Sequence, residues 1–64
     1  MAIKVRNLIK ILKDNGFEEI RQNGSHKIFS NKESKRKTTV PFHGSGAMIP
    51  TGTEKSILKQ AGLL

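Results

Sequence analysis

Along residues 4–15 the apolar side chains Val5, Leu8, Ile9 and Leu12 recur at the i, i+3, i+4, i+7 spacing of one helical face, with Lys4, Arg6, Lys10 and Lys13 in the positions between. This pattern predicts an amphipathic helix. Ile11 widens its stripe, and Asn15-Gly16 supplies the left-handed stop that ends many helices. Residues 17–22 and 25–30 read as two strands, joined by a tight turn at Asn23-Gly24, the strongest short-range hairpin signal. Residues 31–37 carry five charged groups and no apolar side chain, and so predict a solvated turn. A third strand follows over 38–42, with Pro41 suited to its end or to a sheet edge because it has no amide to donate. Residues 43–50, with two glycines and a proline, read as a connection. A second helix then opens on Thr51-Gly52-Thr53-Glu54, which matches a capping box; it buries Ile57, Leu58 and Ala61 and ends at Gly62.

The order helix, strand, strand, strand, helix implies an α+β fold in one domain spanning residues 1–64. A lone hairpin is marginal in water, so a three-stranded antiparallel sheet with both helices on one face buries both stripes and leaves the other face open. Within the second strand, His26, Ile28 and Ser30 share one face, and Ser25, Lys27 and Phe29 the other. Phe29 has the larger area to bury, so it is expected in the core, which turns His26 to the face away from the helices.

Composition narrows the function. With 64 residues, 34% of them hydrophobic, the chain fills one small core and cannot enclose a dinucleotide crevice. Cysteine is absent, which removes both disulfides and thiolate-bound zinc. No segment approaches the roughly 18 apolar residues of a membrane span, and the N-terminus lacks the apolar core of a secretion signal, so a cytoplasmic location without membrane contact is expected. A net charge of +7 favours a polyanion partner. Its sources cluster at Lys10 and Lys13, at Lys32, Lys35, Arg36 and Lys37, and at Lys55 and Lys59. Such runs also serve simply as solvated faces. Three Phe, with no Tyr or Trp, disfavour base stacking on an aromatic sheet platform.

Candidate chemistry is sparse. Two His and one Asp do not specify a nucleophilic triad, Glu18 and Glu19 point to opposite faces of a strand as surface charges, and His26 and His43 are too few to hold a metal. His26 is the more suggestive histidine. Gly24 allows close approach of a phosphate backbone, Ser25 offers a hydroxyl and Lys27 a cation, while an imidazole can remove a proton from a ribose 2′-hydroxyl near neutral pH. That set suits RNA cleavage. The plainer reading makes Asn23-Gly24 only a turn and His26 a half-exposed strand residue. His43, in the glycine-rich connection, is a candidate second proton-transfer group or an ordinary loop histidine.

Gly16-Phe17, Arg21-Gln22-Asn23-Gly24-Ser25-His26, Val40-Pro41-Phe42-His43-Gly44, Gly52-Thr53 and Ile57-Leu58-Lys59-Gln60-Ala61-Gly62-Leu63 closely resemble the HicA (YcfA-like) toxins of bacterial toxin–antitoxin modules. The resemblance runs from about Val5 to Leu63. It implies a fold like that of double-stranded-RNA-binding domains and an mRNA interferase: an endoribonuclease needing no metal or cofactor, neutralised by a HicB antitoxin over its active site. The family's catalytic histidine carries over to His26, with Gly24 and Ser25 matching its flanking motif, and His43 matches a second recurring histidine. Beside Gly24 and Ser25, the RNA contacts expected are Lys27, Lys35, Arg36 and Lys37. The sequence departs from the family over residues 44–50, which are glycine-rich and apolar where many relatives are charged, so the resemblance does not extend to substrate contacts from that loop. The alternative is a non-catalytic double-stranded-RNA-binding module. A DNA-binding regulator fits less well, since the two helices flank strands rather than forming a helix-turn-helix.

Overall fold

A computed structural model describes residues 2–64. Its elements are β1 (Ile3–Lys4), α1 (Val5–Asp14), β2 (Phe17–Asn23), β3 (His26–Asn31), β4 (Lys37–Pro41), β5 (Met48–Ile49) and α2 (Thr51–Gln60). Strands β2, β3 and β4 form an antiparallel sheet in that order, with β3 central. The expected α-β-β-β-α order and α+β architecture are thus present, and Pro41 closes an edge strand, where its missing amide breaks no ladder.

One sheet face is covered by both helices. Val5, Leu8 and Leu12 of α1 meet Phe17, Phe29 and Val40 of the sheet and Ile57 with Ala61 of the α2 end in a single core, and Phe29 is fully buried. The alternation along β3 follows from that burial: Phe29 turns inward, His26 is exposed on the other side, and Ile28 is half-buried there. Ile9 and Leu58 complete the two helical stripes at the core margin.

Both helices stop where glycine follows. Gly62, at φ +74°, lets its amide donate to Lys59 O (3.0 Å) and the Leu63 amide to Leu58 O (2.8 Å), the paired bonds of a Schellman motif. Leu58 and Leu63, brought together by that motif, both pack against the core. Asn15 caps α1, its side chain donating to Ile11 O, and Gly16 follows at positive φ.

Three local expectations are corrected. The hairpin turn is centred on Gly24-Ser25 rather than Asn23-Gly24, because Asn23 already pairs with His26. Only Gly24 of the central pair has positive φ (+62°), as a type II′ turn requires. Second, α2 starts at Thr51 with Pro50 as its N-cap, so Thr51 lies inside the first turn rather than capping it, and the Glu54 amide donates to Pro50 O. Third, residues 43–50 are not only a connection. Within them β5 pairs with β1, Ile3 opposite Ile49 and Lys4 opposite Met48, and the Val5 amide donates to Ala47 O at 2.8 Å. This small ladder receives a first-turn amide of α1 that no helical carbonyl can reach.

Candidate functional site

His26 opens β3 directly after the Gly24-Ser25 turn and stands in register with Asn23 on one side and Pro41 on the other. Its side chain is exposed and, among the described residues, takes no hydrogen bond or ion pair. A Cβ placed on Gly24 would meet nothing within 4 Å, so the turn beside the imidazole is open to a ligand. The Ser25 carbonyl accepts from the Phe42 amide at 2.6 Å. That bond carries the β4 side of the sheet past Pro41 and brings the Phe42-His43 segment to the same end of the sheet as the turn. His43 follows there, exposed. Among the described residues no three His, Cys, Asp or Glu side chains converge, and the surface holds no enclosed cavity.

The basic residues expected around His26 divide by environment. Lys27 points to the helix side of the sheet, where its ammonium donates to both carboxylate oxygens of Glu19 (3.0 and 3.1 Å) and to Gln22 Oε1 (3.1 Å). It also lies 4.5 Å from the centre of the Phe42 ring. The Lys27 side chain is 15% exposed and that of Glu19 33%, so this pair is partly desolvated and Glu19 is more than a surface charge. Gln22 in turn donates to Gly24 O, linking the pair to the turn. Arg36 is directed along the end of α2, its Nη1 donating to Gln60 O at 3.4 Å. Lys35 sits in the β3–β4 turn at φ +58°, its side chain exposed. Lys37 pairs with Ser30, which puts it on the uncovered face with His26.

Two buried polar residues, Asn31 and Thr38, organise these ends. Asn31, at the head of the run that the sequence predicts to be a solvated turn, is instead buried: it donates to Asn15 O and accepts the amides of Glu33 and Ser34. Thr38, also buried, donates from its hydroxyl to Gln60 Oε1 at 2.9 Å. An Asn heading a charged run is an ordinary turn signal, which is available in the sequence; its second bond, to a turn sixteen residues away, is not.

An exposed histidine at the hairpin end of a three-stranded sheet, with two helices on the opposite face, defines a small basic α+β domain with an open surface site. The family model for HicA toxins of bacterial toxin–antitoxin systems matches residues 5–63 of this chain. The chain belongs to that family and so to the toxins of toxin–antitoxin systems, in which each toxin has a cognate antitoxin partner. Comparison with curated proteins gave no match. No helix among the described residues is long and apolar enough to cross a membrane.

Proposed function

We propose that this toxin is a metal-independent endoribonuclease that cleaves mRNA with His26 as general base, works in the cytoplasm and is silenced by a HicB-type antitoxin seated over the same face. The observation that carries this reading is the free, exposed imidazole of His26 on the uncovered sheet face, beside a turn whose first central residue has no side chain. Neutral His26 takes the proton of a ribose 2′-hydroxyl as the 2′-oxygen bonds to the adjacent phosphorus. The bond from phosphorus to the 5′-oxygen breaks, leaving a 2′,3′-cyclic phosphate and a 5′-hydroxyl. His43 is the candidate donor of the proton that the leaving oxygen takes up. Lys27 suits that task less, because its ammonium already donates to Glu19 and Gln22. A positioned base contributes about 10²- to 10⁴-fold, so cations on the same face must supply further stabilisation of the phosphate.

Purified toxin incubated with RNA in EDTA should yield fragments ending in cyclic phosphate. His26→Ala should bind the RNA and leave it intact, with an unchanged melting temperature because the side chain is exposed. Undiminished cleavage by the variant overturns the assignment of the base. A wild-type protein that shifts RNA on a gel without cutting it is instead a non-catalytic double-stranded-RNA-binding module. The net charge of +7 favours an acidic antitoxin surface, and one equivalent of antitoxin should stop cleavage by covering His26.

A further inference from the structure

Strand β2 carries one residue more than its partner can match: Glu19 stands opposite Phe29 and Arg21 opposite Ile28, which leaves Ile20 as the extra residue of a bulge. Side chains alternate along a strand, so an unbulged β2 would set residue 20 opposite Ile28 and Arg21 opposite Lys27, on the helix-covered face. The bulge reverses this. Arg21 joins Ile28 and His26 on the uncovered face, and Gln22 moves opposite Lys27, whose ammonium it receives.

Arg21 and His26 are therefore diagonal neighbours across β2 and β3, a relation that sets Cα atoms roughly 7–8 Å apart and within reach of a long side chain. The Arg21 side chain is exposed and, among the described residues, makes no ion pair or hydrogen bond. Lys27, adjacent to His26 in sequence, is on the other face and held by Glu19. The cation that the register puts beside the imidazole is thus Arg21. Bulges commonly re-aim a side chain next to an active site, and the planar guanidinium fork matches two phosphate oxygens at once.

We propose that Arg21 is a catalytic residue that grips the phosphate undergoing cleavage and stabilises the charge gathering on its non-bridging oxygens as the 2′-oxygen attacks. The proposal deepens the reading of His26 as general base and rests on it.

The test is single-turnover cleavage of a single-stranded RNA oligomer at saturating toxin, with RNA affinity and melting temperature measured on the same samples. Arg21→Gln should cut the rate on the order of 100-fold, as loss of one transition-state donor does, and Arg21→Lys should recover part of it. The melting temperature should not move. Lys13→Gln removes the same charge from α1 and should cleave at the wild-type rate. An Arg21→Gln rate within about threefold of wild type, beside an inactive His26→Ala, overturns the Arg21 assignment and leaves the His26 reading standing. Equal losses in Arg21→Gln and Lys13→Gln also overturn it, since bulk charge would then suffice. Wild-type cleavage by His26→Ala overturns the base assignment and with it the Arg21 role that rests on it, a result distinct from the failure of Arg21 alone.

Discussion

Side chains of one type do different work here because their neighbours differ. Lys27 and Lys37 are both lysines of the sheet, yet Lys27 is clasped by Glu19, Gln22 and the Phe42 ring, while Lys37 lies on the uncovered face. Lys27 and Arg36 thereby connect segments distant in sequence, a role that competes with holding RNA. Asn31 shows how much one amide can organise: its Nδ2 and Oδ1 together tie the α1–β2 turn to the β3–β4 turn. Asn31→Ala should cost about 2–3 kcal/mol in urea unfolding, because it leaves the Asn15 carbonyl and two turn amides without their partner. Its exposed neighbour Lys32 should tolerate Ala with a change within about 0.5 kcal/mol.

Elements are set by their ends as much as by their stripes. The C-terminus of α2 depends on Gly62, where a Cβ would stand 2.7 Å from Arg36 Nε and the φ of +74° is strained for any other residue. Gly62→Ala should destabilise the protein by about 1–2 kcal/mol in urea unfolding, from the left-handed backbone and the displaced Arg36 side chain. Adding Arg36→Ala should relieve the steric share only, so the two changes should prove less than additive. The helix boundaries and the three strands were legible to within a residue or two, since apolar periodicity and glycine act locally. The turn shifted by one residue because pairing of Asn23 with His26 left Gly24 in the one position that needed positive φ. The bulge at Ile20 left only a weak trace, a break in alternation along Glu18-Glu19-Ile20-Arg21.

For the molecule as a whole, the two-layer arrangement sorts a net charge of +7 onto two sides. The uncovered sheet face has His26, Arg21 and Lys37, with Glu18 opposite Ser30 toward its far end, whereas Lys10 and Lys13 belong to the helical layer. If RNA crosses the sheet face, binding should weaken with salt, and Lys37→Gln should reduce the log–log slope by about 0.7, the share of one single-strand phosphate contact. Lys13→Gln should leave the slope unchanged. The opposite pattern in a salt titration would place RNA on the helices instead.

The sequence by itself determined the helices, the hairpin, the inward turn of Phe29 and hence the outward turn of His26, because each follows from short-range periodicity and from the area a side chain must bury. Family membership was legible in the same way, from short motifs in order. Only the tertiary structure decided which cations are free beside that histidine, because pairing register, the Ile20 bulge and the Glu19 contact join residues through space. A one-residue change of register carries a side chain to the opposite face of a sheet, and local composition has no record of it.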